Sequence, residues 1–570
     1  MATYFGLRNI CKEFYRDAWC APTRRLQKQP PPPPQPKAVK VRKTPSRLRR
    51  VMKRLKAKSV DEKTPVSHIE KLSAQSTASS TDLSSLANAL TEINDDAAGN
   101  TPPRVDSASS PEQNEQWLTR ADFETIRNIP DERFKKALAE YLNEYVEYDA
   151  NQYQFFERFT GGNNHIRIFD VGSGNNPGSY VVKVPGVGTA ARWKESDAYM
   201  LRTTFYTMRY IFQKTKGRFP IPEVIGYSDT LQNELGAPFV IMRWSPGVDA
   251  NEIWFDQTED GDDDITTMDT PSAERMEKRL NLLRTLAQAM AELELLEFKG
   301  IGMLSVDEFD EDGIPLVGPV YENKTQDLSP DILDTEEAIE KQEVYNNSYL
   351  WWSDRLDLRL PWMEDTTTDF AAISNGVHFV LRTMLDFMPF KKSLGPHDDR
   401  ETFVLRHDDL NFQNILCDPE TGRVTSIIDF DLCQTAPRCV GYAGLPMWLQ
   451  SDWFPDYRPS QNDDGPQLHH APSELWKYRK IYSDCMLELT APGSDGKYTL
   501  RSCMYQAVRG ALFGSSQSGD LFDVAPKVLQ QIPALACLYN DMDEFLITLG
   551  RGWQPGQDLV RAGLKKMLID

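Results

Sequence analysis

Cysteine is scarce in this sequence, and long apolar runs are absent from it. The 570 residues include eight cysteines and no CxxC pair, which excludes a disulfide framework and a zinc ribbon. No apolar stretch approaches the roughly 18 residues that a membrane-spanning helix needs. The first residues also lack the apolar core of a secretory signal. We therefore expect reduced, mostly buried thiols, no membrane span, and the cytoplasm as the compartment.

Acidic residues are scarce at the start of the chain. Residues 1–60 hold 17 Lys or Arg and two acids, a net charge of +15, whereas the whole chain carries −20, so residues 61–570 carry −35. An acidic body disfavours nucleic acid as a partner. The basic run over residues 37–58 leaves three interpretations open: a nuclear import signal, contact with an anionic surface, or solvation. Mitochondrial import through this tail is a further alternative.

The first 115 residues hold few side chains that can pack together. A polyproline stretch occupies residues 30–36, and Ser, Thr, Ala, Asn and Asp dominate residues 71–112. We predict a disordered basic extension over residues 1–115, with ordered structure from about Trp117.

Alternating segments after this extension predict a small β-rich part. The run His165–Val171 alternates, and Tyr180–Val184 follows it across a turn rich in Gly and Asn, which predicts a hairpin. Residues 238–244 predict a further apolar strand, and residues 197–214 a helix between the strands.

Helical spacing dominates the rest of the chain. Residues 270–298 predict a long helix that packs on a core, whereas the acidic stretch over 249–269 is expected to be a solvated insertion. We predict an α+β fold class, with a small β-rich lobe over residues 116–247 and a larger helical lobe over residues 248–570.

The most informative segment runs from residue 402 to residue 431. It contains HDDLNFQN at 407–414, then a predicted β-hairpin that ends in DFD at 429–431. The two ends of one hairpin can hold Asp409, Asn414 and Asp429 close together. Phosphoryl transfer needs such a set, because a carboxylate orients the acceptor hydroxyl and takes its proton, and Mg²⁺ requires oxygen ligands.

These residues resemble motifs of the aminoglycoside phosphotransferase-type kinases, which are relatives of choline kinases and protein kinases. The resemblance covers about residues 155–450 and is to fungal-type members of the family. The motifs that carry it are the turn Gly161–Asn164, the strand Val182–Pro185, the loop His407–Asn414 and the segment Ile428–Asp431. It implies a two-lobed protein-kinase-like fold, ATP and Mg²⁺ as cofactors, and phosphorylation of a hydroxyl on a small molecule.

The resemblance also implies individual roles. Asp409 is the expected catalytic base, and His407 is expected to orient the catalytic loop. Asn414 and Asp429 are the expected Mg²⁺ ligands, and Lys183 the contact to the α- and β-phosphates. The other expected nucleotide contacts are Gly161, Gly162, Asn163 and Asn164 over the phosphates, and Met242, Arg243 and Trp244 at the hinge near adenine.

One position departs from the family pattern. The helix after the lysine strand usually carries a glutamate that pairs with the lysine, and Thr204 stands at that place, with Glu195 two to three turns upstream. This departure favours an alternative function, a kinase-like pseudoenzyme that holds nucleotide or a partner without turnover. A protein kinase is disfavoured, because no Arg lies between His407 and Asp409 and no APE-like segment follows Asp431.

The acceptor is the part of the function that the motifs do not specify. Aromatic and acidic residues alternate at Trp448, Asp452, Trp453 and Asp456. Two interpretations are open: an ammonium site that uses cation–π contacts, or a packed aromatic loop.

Overall fold

The structure is a computed structural model. It describes residues 119–142, 149–172, 176–258, 263–323, 332–387, 389–390, 401–459, 467–513, 520–536 and 542–568. These residues belong to one structural unit, Val105–Asp570. The extension predicted over residues 1–115 lies outside the described residues. Among the described helices, none combines the length and hydrophobicity that crossing a bilayer requires.

A five-stranded antiparallel sheet forms the first part of the described chain. Its strands are β1 (Tyr153–Thr160), β2 (Asn164–Val171), β3 (Gly178–Pro185), β4 (Val224–Ser228) and β5 (Phe239–Arg243), in the spatial order β1-β2-β3-β5-β4. The pairing of β2 with β3 confirms the predicted hairpin. Alternate residues of β3 (Tyr180, Val182 and Val184) are fully buried, as expected for a strand with one face on a core.

Helices cover both faces of this sheet. α1 (Phe123–Arg127) and α2 (Asp131–Leu142) precede β1, and α3 (Glu195–Thr215) lies between β3 and β4. Apolar residues of α2 pack on one face of the sheet, and those of α3 on the other. A buried ion pair between Arg120 and Asp197 joins the segment before α1 to the first turn of α3.

The remaining described chain is mainly helical. Its helices are α4 (Ala250–Trp254), α5 (Ala273–Ala291), α6 (Ser348–Arg359), α7 (Asp369–Leu385), α8 (Pro472–Leu489), α9 (Ser502–Phe513), α10 (Leu521–Gln530), α11 (Met542–Gly550) and α12 (Gln554–Met567). This content confirms the predicted α+β class, with a β-rich part before a helical one. The lobe boundary at residue 247 stays a prediction.

Short strands interrupt the helical part. They are β6 (Val248–Asp249), β7 (Asp256–Gln257), β8 (Asp263–Asp264), β9 (Glu297–Phe298), β10 (Met303–Phe309), β11 (Pro315–Gly318), β12 (Val320–Asn323), β13 (Ile339–Gln342), β14 (Phe403–Arg406), β15 (Ile415–Cys417), β16 (Val424–Ile427) and β17 (Gln434–Ala436). β15 pairs antiparallel with β16 as the predicted hairpin, and β14 pairs with β17.

Two glycines allow α7 and α11 to cross at close range. A methyl group at Gly376 would overlap the carbonyl oxygen of Leu546, and one at Gly550 would overlap the carbonyl oxygen of Ala372. The backbones of the two helices therefore touch, and only a residue without Cβ fits at either position.

The acidic stretch over residues 249–269 differs from the expected solvated insertion. Its first part forms α4, and Trp254 at the end of that helix is fully buried. Trp254 packs against Tyr478 with ring centroids 4.8 Å apart. The acidic composition of the stretch concealed this short helix, in which Ala250, Ile253 and Trp254 are buried.

Candidate active site

The HDDLNFQN segment forms a loop between β14 and β15. A single 3₁₀ turn over Phe412–Asn414 closes this loop, and the DFD segment begins two residues after β16 ends. The β15–β16 hairpin thus brings residues 407–414 and 429–431 side by side, as the sequence predicted.

The peptide unit of Ile428 joins these two segments. Its carbonyl oxygen accepts a hydrogen bond from His407 Nε2 at 3.0 Å, and its N–H donates to the carbonyl oxygen of Asn414 at 2.9 Å. His407 Nδ1 accepts from the backbone N–H of Asp409 at 3.2 Å. Burial lowers the pKa of His407, so the imidazole is neutral at pH 7, in agreement with one donating and one accepting nitrogen.

Asp409 and Asn414 are in direct contact. Asn414 Nδ2 donates to both the carbonyl oxygen and the Oδ2 atom of Asp409, each at 2.8 Å. Gln413 Nε2 lies 3.3 Å from the same carboxylate oxygen. The side chain of the expected base is therefore held by two amides of its own loop.

Lys183 reaches the DFD segment from β3. Its Nζ atom lies 2.7 Å from Asp429 Oδ1 and 2.8 Å from Asp431 Oδ2. Burial opposes the charge of Lys183, but the two carboxylates outweigh it and raise the pKa of the lysine. Burial likewise opposes ionisation of Asp429, and the attraction of Lys183 nevertheless lowers the pKa of that carboxyl. Both groups are charged at pH 7.

Backbone strain marks the DFD segment. Asp429 has φ +62° and Leu432 has φ +61°, both in the left-handed region that residues other than glycine rarely adopt. Such conformations persist where the surrounding contacts hold them, and they occur often at functional sites.

The glycine turn contacts the same segment. Asn164 Nδ2 donates to Asp431 Oδ2 at 2.8 Å, and the Gly161 N–H closes the turn by donating to the carbonyl oxygen of Asn164. The Asn163 carbonyl oxygen accepts from the Gly186 N–H at 2.7 Å. A Cβ atom at Gly162 would have no atom within 4 Å, so this position is open above the turn.

Met242 and Arg243, two of the three expected hinge residues, lie on β5, which pairs with the strand of Lys183, and Trp244 directly follows β5. Lys183 pairs with Val240, so these residues stand two to four positions further along the chain, or about 7–13 Å in the direction of the strand. The N–H of Trp244 donates to the carbonyl oxygen of Ser179 at 3.0 Å.

Neither Glu195 nor Thr204 of α3 supplies a carboxylate to Lys183. Glu195 does not pair with Lys183 but with Arg202 at 2.6 Å, and its side chain is 80% exposed. Thr204 is buried on α3. The carboxylates next to Lys183 come from Asp429 and from Asp431, a residue to which the sequence interpretation assigned no role. The sequence did contain a signal for Asp431, because it is the second acidic residue of the DFD segment.

The sequence model of the phosphotransferase enzyme family matches residues 159–476, which is more than half of the chain. The chain belongs to this family. The match includes Lys183, the HDDLNFQN loop and the DFD segment. The predicted resemblance and the protein-kinase-like fold class are thereby confirmed, whereas a fungal type stays a prediction. No curated protein matches the sequence significantly.

Solved structures that are similar to this family member share little sequence identity with it. A Ralstonia eutropha protein provisionally assigned as an aminoglycoside phosphotransferase is 12% identical, with 77% of this chain and 98% of that chain covered and a TM-score of 0.36. Choline kinase from Cryptosporidium parvum is 10% identical, with 77% and 100% covered and a TM-score of 0.35. Plasmodium vivax ethanolamine kinase is 12% identical, with 71% and 88% covered and a TM-score of 0.32.

The DFD segment and the loop of this phosphotransferase family member offer oxygen ligands to a hard cation. Within the described ranges, no group of three or more His, Cys, Asp or Glu side chains is arranged as a metal site. Mg²⁺ does not need such a group, because it keeps several waters and binds through one or two carboxylates. Asp429, Asp431 and the amide oxygen of Asn414 make up a donor set of this kind, and they fit Mg²⁺.

The aromatic and acidic residues after 447 divide into two groups. Asp452 accepts two hydrogen bonds from the Arg479 guanidinium, and Trp453 is buried. Trp448 and Asp456 instead line a cavity. Asp452 therefore already has a cationic partner, and the packed-loop interpretation describes the first group better than an ammonium site does.

Proposed function

We propose that this protein transfers the γ-phosphoryl group of ATP, with Mg²⁺, to a hydroxyl group of a small molecule. One observation carries the proposal: Lys183 meets Asp429 and Asp431 beside the contact between Asp409 and Asn414. These residues come from segments more than 200 positions apart, and ordinary packing does not require four charged side chains and an amide at one place.

The proposed step needs little covalent chemistry from the protein. The acceptor oxygen bonds to the γ-phosphorus, the bond from that phosphorus to the ADP oxygen breaks, and the hydroxyl proton passes to the Asp409 carboxylate. A magnesium ion held by Asp429, Asp431 and Asn414 would supply positive charge that offsets the phosphate oxygens. Hydrogen bonds from the Asn414 and Gln413 amides orient the Asp409 carboxylate to accept the hydroxyl proton.

The remaining proposed roles concern nucleotide binding. Lys183 stays charged because its two carboxylate neighbours raise its pKa, so its ammonium group can bind phosphate oxygens. Backbone N–H groups of Gly161–Asn164 are proposed to cover the phosphates, and Met242–Trp244 to lie near adenine. His407 is proposed to act through the loop that it holds, since both of its nitrogens bind backbone atoms.

Nucleotide binding is tested by thermal stabilisation. We expect ATP to raise the thermal midpoint of the full chain only when Mg²⁺ is present, and Asp429→Ala to abolish this effect. The absence of a shift with any nucleotide would contradict both the transferase and the alternative nucleotide-binding module.

Turnover is tested with a variant that keeps the shape of the base. Asp409→Asn should abolish slow ATP turnover and leave ATP binding in place, because only the proton-accepting carboxylate is lost. Asp418→Asn is the matched control, since Asp418 caps the turn of the same hairpin away from the site and asparagine keeps that cap. Equal turnover in wild type and Asp409→Asn would favour the pseudoenzyme alternative. Phosphorylation of a metabolite pool with labelled ATP, compared between these two proteins, would identify the acceptor.

A further inference from the structure

A cavity of 540 Å³ lies beside the loop that carries Asp409. Asn411 and Phe412 of that loop form part of its wall, and the Asn411 N–H donates to the carbonyl oxygen of Asp409 at 2.9 Å. Small-molecule sites usually measure about 300–1,000 Å³. The cavity therefore has the size of a ligand site and shares a wall with the proposed catalytic loop.

Aromatic rings line most of this cavity. Phe412 and Trp448 stack with centroids 4.2 Å apart and planes 19° apart. Trp254 meets Trp448 edge to face at 5.8 Å. The other apolar lining side chains are Phe255, Met268, Met447, Phe454, Pro455 and Leu468. Rings held this closely present a flat apolar wall, and each member of the stacked pair already covers a face of the other.

A buried positive charge lies behind the Trp254 wall. The Arg279 side chain is 1% exposed, and its guanidinium carbon stands 5.0 Å from the centre of the Trp254 ring. Its guanidinium donates to neutral oxygens, namely two backbone carbonyls and the Tyr478 hydroxyl, and no ion pair of Arg279 is found within the described ranges. The face of Trp254 that Arg279 covers therefore already serves one cation and is closed to a cationic ligand.

The described acidic groups near the cavity offer no carboxylate that lacks a partner and is shielded from water. Asp269 lies behind His470, and its carboxylate already accepts from His470, Gln467 and the Ala471 N–H. Asp456 is the acidic lining residue, and it is exposed, so water screens its charge. His470 donates from Nδ1 to Asp269 at 2.6 Å and accepts from Trp254 Nε1 at 2.7 Å, so its two nitrogens are already occupied. Burial lowers the pKa of His469, which is therefore neutral at pH 7.

One buried donor in the cavity wall lacks an acceptor. Trp448 is 8% exposed, and its indole N–H has no hydrogen-bond partner among the described atoms. Buried N–H groups are normally paired, so a ligand oxygen would complete this one.

We infer that this cavity binds the acceptor, and that the acceptor is an uncharged, flat and largely apolar alcohol with an oxygen for the Trp448 indole N–H. The inference names the substrate class of the proposed transferase and rests on that proposal for the transfer step. It sets the protein apart from enzymes that act on amino sugars or ammonium alcohols. Amino sugars carry several cationic groups and ammonium alcohols carry one, and this cavity does not match such groups.

Matched probes test the charge preference directly. We would measure binding to the full chain by calorimetry for two pairs of similar shape: 3,3-dimethylbutan-1-ol against choline, and 2-naphthylmethanol against 2-naphthylmethylamine. We expect at least tenfold tighter binding of the uncharged member in each pair, and 2-naphthylmethanol to be the tightest of the four. Tighter binding of choline or of kanamycin, or no binding of 2-naphthylmethanol at millimolar concentration, would overturn the inference.

Three variants test whether the cavity is the site. Ser451→Phe adds a ring to the lining and should weaken 2-naphthylmethanol at least tenfold. Trp448→Phe keeps the stacked ring without the N–H and should weaken it several-fold, which covers the case in which Ser451→Phe does not fold. Trp362→Phe is the matched control, because Trp362 is 51% exposed and lies outside the cavity lining, and it should change the affinity less than twofold. Unchanged affinity in folded Ser451→Phe and Trp448→Phe would place the binding elsewhere and refute the assignment.

Failure of this inference can be told from failure of the proposed function. Binding of 2-naphthylmethanol with the expected variant pattern, in a protein that does not bind Mg²⁺ and ATP, would remove the transferase and keep the cavity assignment. Turnover of ATP that depends on Asp409, together with no binding of the uncharged probes, would keep the transferase and remove the assigned substrate class.

Discussion

Replacing Lys183 by methionine should destabilise the protein, because Asp429 and Asp431 then face each other without a cation. The Lys183 side chain is 12% exposed and lies within 2.8 Å of both carboxylates. Removing one partner of a buried ion pair costs about 3–5 kcal/mol. The two carboxylate side chains are 40% and 36% exposed, so water screens part of their repulsion. After that discount we expect a loss of about 1–3 kcal/mol at pH 7.

The pH dependence of this loss follows from the two pKa shifts. Burial opposes both charges, but mutual attraction lowers the pKa of Asp429 below 3.8 and raises the pKa of Lys183 above 10.5. The stabilisation is therefore complete between these values. It is lost as the pH falls through the folded pKa of Asp429 or rises through that of Lys183. The stability difference between wild type and Lys183→Met should be constant from about pH 7 to pH 9 and shrink towards pH 5, because without the lysine the repelling carboxylates take up a proton more readily.

The measurement is the thermal midpoint of both proteins at pH 5, 7 and 9, without nucleotide. Lys341→Met is the matched control, because Lys341 forms an ion pair of similar length with Glu343 on the exposed surface, and its midpoint should match wild type. An unchanged or raised midpoint in Lys183→Met would refute the argument. So would a stability loss that is larger at pH 5 than at pH 7.

Three further perturbations test other parts of the structure. Burial and the nearby Arg167 lower the pKa of His165 to about 4, so the stability of the wild type should fall as the pH drops from 6.5 towards 4. His165→Asn should remove this fall from a plot of thermal midpoint against pH. Gly376→Ala should lower the thermal midpoint although alanine favours helix by about 1 kcal/mol, because its methyl group overlaps the α11 backbone. Arg120→Met should cost about 3–5 kcal/mol in chemical denaturation, since it leaves the Asp197 carboxylate buried without its partner.

Two matched variants accompany these tests. Gly172→Ala places a methyl group where no atom lies within 4 Å, and Arg561→Met removes an exposed ion pair with Asp558. Both should leave the thermal midpoint unchanged. If Gly376→Ala behaves like Gly172→Ala, the two helices do not touch as described. If Arg120→Met behaves like Arg561→Met, the buried pair does not hold the segment before α1.

Much of the fold could be predicted from local patterns. The β2–β3 and β15–β16 hairpins follow from alternation around turn residues, and a hairpin necessarily brings its flanking segments together. This is why the proximity of Asp409, Asn414 and Asp429 was predictable from the sequence alone. Their roles in catalysis and metal binding stay predictions.

Contacts between distant segments were harder to predict. The sequence interpretation sought the partner of Lys183 on α3, where the family pattern has a glutamate, whereas the structure supplies Asp431 more than 200 residues later. Nothing local in the chain specifies that contact, because it depends on how the sheet packs on the catalytic loop. The burial of Trp254 was missed for a related reason: its partners on α5 and α8 are remote, and its neighbours are acidic.

The peptide unit of Ile428 couples two parts of the proposed chemistry. One bond from its oxygen and one from its nitrogen tie the loop that bears the proposed base to the segment that bears a proposed metal ligand. A substitution that displaces either segment will therefore displace the other. Kinetic studies of such variants should find that the rate of phosphoryl transfer and the apparent affinity for Mg²⁺ change together rather than one at a time.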